Sequence, residues 1–296
     1  MLKLTSTMLG LSALPLGSLL ADEPKPKRIL YFTRSAGYVH SVVQRKNGEL
    51  AFSEKVLTEF GKKAGYEVEC SQDGRIFDGS LDAYDAVAFY TSGDLTKDNP
   101  KGTGTPMTVA GKQRLLDAVA AGKGFIGIHA ATDSFRTSGP TNKIDPYLAM
   151  LGAEFVGHDA QQEATLRIVS RFPGIADLGR QGCITLLEEW YAQRNFAKDL
   201  HVILVQETEH MKGSNYQRPA YPSTWARMHG KGRVFYTSLG HREDVWTNPI
   251  FQAIALAGLA WTTNRVAFEP TPNMDEATPG ANQLPRQLPN APPKKG

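Results

Sequence analysis

Short apolar runs alternate with longer amphipathic stretches through the first half of the chain. Residues 28–33 (Arg-Ile-Leu-Tyr-Phe-Thr) read as a buried strand, and a polar loop over 34–48 follows. Leu50, Phe52, Val56, Leu57 and Phe60 then recur at helical spacing, which predicts a helix over about 49–64 that Gly65 ends. Residues 66–70 predict a second strand, 71–74 a turn, and 86–90 a third strand. A loop rich in Gly, Pro and Thr covers 92–107 and leads into a helix over about 108–121 and a glycine-flanked strand at 124–128. Strand–helix–strand alternation of this kind predicts an α/β fold, a flavodoxin-like sandwich with a mostly parallel central sheet.

The second half is less regular. It predicts a short helix over 143–151, an edge strand over 164–170, and strands at 202–206, 224–228 and 233–237. Gly230-Lys-Gly232 should turn the last two into an antiparallel pair. A final helix, about 249–261, presents Ile250, Ile254, Leu256 and Leu259 to the sheet. Residues 264–296 are rich in Pro, Asn and Gln without an apolar period and read as a disordered tail, which leaves one domain over 28–263.

Composition sharpens this picture in three places. Of 296 residues, 41% are hydrophobic and 21% charged, enough for a real core. The net charge of +3 is spread along the chain with no basic arm or aromatic-interleaved patch, so nucleic acid is not an expected partner. Residues 1–21 read as a signal peptide: Lys3 supplies a weak positive start, an apolar small-residue stretch follows, and Ala21 precedes charged, proline-rich sequence. A periplasmic or secreted location is expected, with no membrane attachment after cleavage. Two cysteines, Cys70 and Cys183, do not make a disulfide scaffold, and their pairing stays open. Oligomeric state stays open too, a homo-oligomer included.

Candidate chemistry gathers where strands end, because ligands in open α/β sheets bind outside the carboxyl ends of strands. His129 closes the strand 124–128, and the small Ala130 and Ala131 permit a sharp turn there. The loop Arg34-Ser-Ala-Gly-Tyr-Val-His after the first strand can carry Tyr38 and His40 to the same rim. His158 follows Gly157 in a loop, and His241 leaves the strand 233–237. Imidazole serves as metal ligand or proton carrier, so His40, His129, His158 and His241 are candidate ligands of a divalent metal. In Glu188-Glu189-Trp190-Tyr191, Glu189 is the candidate acid or base, beside His129 and His241 as candidate catalytic groups. Tyr38, Trp190 and Trp246 could stack on a sugar face, with core packing the alternative for Trp246, and Asp94 and Asp133 could bond its hydroxyls or orient a histidine. His201, His210 and His229 read as structural.

In this order, the motifs resemble the ThuA-like (trehalose utilisation) family. They comprise Thr-x-x-Ala-Gly-Tyr-x-His (33–40), Thr-Ser-Gly-Asp (91–94), Gly-Phe-Ile-Gly-Ile-His-Ala-Ala-Thr-Asp (124–133), Gly-Ala-x-Phe-x-x-His (152–158), Glu-Glu-Trp-Tyr (188–191) and Gly-Arg-Val-Phe-Tyr-Thr-Ser-Leu-Gly-His (232–241). The resemblance implies a class I glutamine amidotransferase-like fold and a role in sugar use. That fold places a catalytic cysteine where this chain has His129, so release of ammonia from glutamine is not expected. Two readings follow. One is a small-carbohydrate enzyme that acts on a keto-glycoside or related sugar by metal- or His-assisted proton transfer, with isomerisation, elimination or hydrolysis as outcome. The other is a non-catalytic carbohydrate-binding or scaffold module. A serine or cysteine hydrolase is disfavoured, since no Gly-x-Ser-x-Gly or Gly-x-Cys-x-Gly elbow occurs.

Overall fold

The apolar runs and amphipathic stretches become β1 (Lys27–Phe32), α1 (Phe52–Lys63), β2 (Tyr66–Ser71), β3 (Ala86–Phe89), α2 (Val109–Ala121) and β4 (Gly124–Ile128). There follow α3 (Pro146–Leu151), β5 (Glu154–Gly157), β6 (Gln162–Ile168), β7 (Cys183–Glu188), β8 (Ala192–Arg194), β9 (His201–Gln206), β10 (Tyr221–His229) and β11 (Gly232–Thr237). The chain closes with α4 (Glu243–Thr247), α5 (Pro249–Thr262) and α6 (Met274–Ala277). This computed structural model describes residues 25–136 and 143–285; the expected signal peptide and the end of the expected tail, 286–296, lie outside the described residues.

Nine strands make one sheet in the order β2-β1-β3-β4-β11-β10-β9-β6-β7. The first five run parallel. Successive antiparallel pairings then leave β10 and β6 running against the other seven. The α/β architecture with a large, mostly parallel sheet is therefore present. β3 and β4 are buried throughout, as strands covered on both faces must be. α1 and α5 cover one face through Leu57, Phe60, Phe251, Ile254 and Leu259. α2 and α3 cover the other through Leu115, Val119, Leu148 and Leu151. Local chemistry starts these helices where the sequence suggested: Thr108 accepts from Gly111 N and Asn248 from Ile250 N, each satisfying a first-turn donor.

The parallel strands deliver their carboxyl ends, and the loops after β1, β3, β4 and β11, to one rim. The β6–β7 hairpin adds to it. In register, Leu166 pairs with Gln206, the last residue of β9, so Gln162–Thr165 and the end of β7 run on past β9. β7 shows alternating burial, with Ile184, Leu186 and Glu188 inward, and it delivers the Glu188-Glu189 pair to the rim.

The tail expected from 264 is not disordered over 264–285. Asn273 accepts from Val202 N (2.6 Å) and donates to Val202 O (3.0 Å), and Asn282 clasps the Phe196 backbone in the same way (2.8 and 3.1 Å). Met274 and Ala281 are buried, and the Arg218 guanidinium donates to the Ala281 carbonyl. Amides that pair with backbone hold this segment, so it needs no apolar period. Both cysteines are free. Among the described residues, no helix is long and apolar enough to cross a membrane.

Candidate functional site

β4 ends in a tight turn. His129 adopts φ +43°, a left-handed backbone conformation uncommon outside glycine. Its side chain is fully buried. Nδ1 lies 2.7 Å from Ser238 O just beyond β11; a carbonyl accepts only, so Nδ1 carries the proton and Nε2 the lone pair. Nε2 stands 3.4 Å from Glu189 Oε2. His241 Nδ1 approaches the same oxygen at 2.9 Å. His40, brought in by the loop after β1, packs its ring edge-to-face against those of His129 and His241, with centroids 5.2 and 5.3 Å away. Its Nε2 lies 3.2 Å from the Tyr191 hydroxyl.

His40, His129, His241 and Glu189 each offer one ligand atom, and those atoms all lie within 4.8 Å of one another. His40 Nδ1, His129 Nε2 and His241 Nδ1 are buried without a hydrogen-bond partner. Three orphaned imidazole nitrogens around one carboxylate are costly in a protein interior unless a cation or proton satisfies them. The donor set, three nitrogens and a carboxylate, suits a divalent transition metal.

Electrostatics follow from burial. Burial, together with the neighbouring imidazoles of His129 and His241, pushes His40 down to about 2. Burial also lowers His129, against the pull of Glu189. Burial alone would raise Glu189, but the close approach of His129 and His241 outweighs it and holds the carboxyl well below the usual range. Neutral imidazoles facing an ionised carboxylate are the forms that bind metal. Glu188 is pushed up to about 7 by burial, despite accepting backbone N–H bonds from His241 and Gly240. Those bonds, 2.6 and 2.7 Å, tie the β7 end to the loop that carries His241.

Above the cluster opens a cleft of about 400 Å³ lined by Tyr38, His40, Asp133, Arg136, Phe155, His158, Glu189 and Tyr191. Tyr38 is 68% exposed at its mouth. Asp133 is pushed up to about 6, chiefly by burial, with Arg136 and His158 pulling it down. A wider cleft of about 690 Å³ adjoins, sharing Gly93, Asp133 and Arg136.

The structure thus gathers His40, His129, His241 and Glu189 and places Tyr38, Asp133 and His158 around the opening. His158 is not in the quartet of ligand atoms: its Nδ1 is 3.4 Å from Glu189 Oε1 and its side chain is half-exposed. Asp94 lies in the wider cleft, exposed, where it accepts from Thr96. Trp190 and Trp246 cannot serve as sugar platforms. Both are fully buried, with their indole N–H groups donating to Gln162 O and Gly240 O, because the chain needs their bulk in the core. Sequence reasoning passed over Tyr191, whose ring packs 4.0 Å from that of His129, and Tyr90, buried against His40 and His129. Tyr90 directly follows β3, so strand-exit placement was the signal that could have found it. His201 is held by Ser170 and the Thr271 carbonyl, in keeping with a structural role.

A family model described as ThuA, trehalose utilisation, matches residues 28–262. Among solved structures, a ThuA-like protein from Parabacteroides merdae is similar at TM-score 0.63 and 16% identity, over 83% of this chain and 92% of that one. A ThuA-like protein from Bacteroides uniformis is similar at TM-score 0.59 and 16% identity, over 83% and 94%. A cytoplasmic protein from Salmonella typhimurium follows at TM-score 0.50 and 12% identity, over 80% and 98%. No curated protein matches the sequence. At such identities the structural likeness speaks for the fold alone.

Proposed function

The chain belongs to the ThuA (trehalose utilisation) family, and on that premise we propose that it is an exported carbohydrate enzyme whose His40–His129–His241–Glu189 centre holds a divalent cation and promotes proton transfer on a keto-glycoside or related sugar. One observation carries this reading: three buried imidazole nitrogens without partners converge on a single carboxylate beneath an open cleft. When bound there, a divalent cation supplies Lewis acidity toward a carbonyl oxygen.

The residues divide the remaining work. Ser238 O fixes the His129 tautomer with Nε2 facing the centre. Tyr191 Oη holds the outer nitrogen of His40 and leaves Nδ1 directed inward. With Glu189 committed to the centre, His158 is the proton carrier of choice: it sits at the cleft, reaches Glu189 Oε1 and exchanges with solvent. A carbonyl acidifies its neighbouring C–H, and removing that proton gives an enediolate from which isomerisation, elimination or hydrolysis can follow. Tyr38, exposed at the mouth, is positioned to stack on a sugar ring, and Asp133 to accept from a hydroxyl. The binding-module reading relied on three aromatic platforms, of which Trp190 and Trp246 are buried, so it is the weaker one. The N-terminal pattern of residues 1–21 supports a periplasmic or secreted setting.

The test is metal analysis of the purified protein, then turnover of 3-keto-trehalose by wild type and His129→Ala. We expect about one divalent ion per chain in wild type, as one quartet of ligands implies, and loss of both ion and turnover in the variant. Full turnover by His129→Ala, or a wild type that binds no divalent ion at saturating concentration, would overturn the proposal.

A further inference from the structure

Three buried side chains form a bonded cluster that grips the His129 backbone through one of them. Tyr236 Oη donates to the His129 carbonyl at 2.7 Å. Gln193 Nε2 donates to that phenol at 2.8 Å and to Thr132 Oγ1 at 3.2 Å. Thr132 Oγ1 lies 3.1 Å from Tyr236 Oη, and since the phenol proton already points at His129, Thr132 is the donor of that pair. Tyr236 comes from β11, Gln193 from β8 and Thr132 from the turn after β4, and all are fully buried.

Two grips on His129 therefore come from one strand end. Tyr236 holds its carbonyl, and Ser238, two residues on, holds Nδ1 of its ring. A backbone at φ +43° persists in a residue with a Cβ only when its surroundings over-determine it. The carbonyl grip sets the peptide plane and the ring grip sets the side-chain rotation, so together they fix where Nε2 faces.

We propose that Tyr236, supported by Gln193 and Thr132, is the positioning residue of the centre: its hydroxyl locks the left-handed turn at His129 and aims Nε2 at the carboxylate of Glu189. The inference rests on the reading of that centre as a cation site, and it concerns residues that touch neither cation nor cleft. Partners of this kind, one bond behind a ligand, typically change metal affinity 10–100-fold when removed.

The experiment compares Tyr236→Phe with Tyr147→Phe, using Co²⁺ as the probe. Tyr147 is a matched control, a fully buried phenol whose hydroxyl donates to Ala131 O at 3.2 Å, in the same turn but not on His129. Melting midpoints of the two variants should fall by similar amounts. Tyr236→Phe should weaken Co²⁺ binding about 10–100-fold and alter the cobalt visible spectrum, while Tyr147→Phe leaves both near wild type. Equal effects in the two variants, or none in either, would reject a positioning role. Thr132→Val gives a milder second variant if Tyr236→Phe does not fold, with an intermediate loss expected. Imidazole ¹⁵N resonances of the metal-free protein separate the two layers of argument. If His129→Ala binds Co²⁺ like wild type, the cation reading fails; the positioning role then stands or falls on whether Tyr236→Phe shifts the His129 ring signals.

Discussion

Asp133 stands where the cleft meets the turn after β4, 8% exposed, with the Arg136 Nε 2.7 Å from its Oδ1. Burial pushes it up to about 6, against roughly 3.9 for an unfolded aspartate. The folded chain therefore binds this proton more tightly than the unfolded chain does. Its contribution to stability is fully present below about pH 4 and is lost as pH rises through about 6. Asp133→Asn should remove that slope. Urea unfolding at pH 4 and pH 7 should show a gap between variant and wild type that changes by up to about 3 kcal/mol across the window. Parallel stability curves for the two proteins would mean that the carboxylate is well solvated. The paired acids at 188 and 189 show how neighbours diverge: one binds backbone N–H groups and stays buried, the other faces three imidazoles.

At the level of elements, β4 is the axis of the site, and glycine is what lets it run between helices. A Cβ on Gly124 would sit 2.4 Å from Thr262 O and 2.9 Å from the Ala86 side chain. The first contact is backbone at the end of α5, which cannot yield without moving that helix. Gly124→Ala should cost about 1–3 kcal/mol in denaturant unfolding, the range for overpacked cores. Its cation affinity should stay close to wild type, because the strain enters at the end of β4 remote from His129. A variant as stable as wild type would show that α5 shifts freely on the sheet. The β6–β7 hairpin plays a complementary part, since its overhang is what carries Glu189 to a rim that a flush hairpin would not reach.

Over the whole molecule, the segment 264–285 behaves as part of the fold. It joins β9 and the loop between β8 and β9 to the face that α3 covers, through Asn273, Asn282 and the Arg218 contact with Ala281. A chain ending at residue 263 should lose on the order of 2–4 kcal/mol, from several buried hydrogen bonds and the burial of Met274. Limited proteolysis of the intact protein should spare 264–285. Rapid native-state cleavage there, or a truncated chain with unchanged melting behaviour, would count against this account. The same scale explains why the sheet is reached by two routes. Strand–helix units build β2, β1, β3 and β4, and β11 joins β4 from far along the chain, while β10, β9, β6 and β7 are added by antiparallel pairing that is mostly between consecutive strands.

By itself, the sequence determined the parallel core. Apolar runs of strand length, helices with Thr108 and Asn248 at their starts, and the glycine-flanked 124–128 are local signals whose meaning does not depend on distant contacts. It also determined that histidines leave strands at His129 and His241, because a strand's end is legible in its hydrophobic pattern. Only the tertiary structure decided which of them share a centre. His40, His129, His241 and Glu189 arrive from four separate loops, and whether side chains from such loops meet depends on sheet order and on the register of β6 against β9. Burial was likewise settled in three dimensions. Trp190 and Trp246 carry the same rings whether they face sugar or core, and the fit of the surrounding side chains sent both inward.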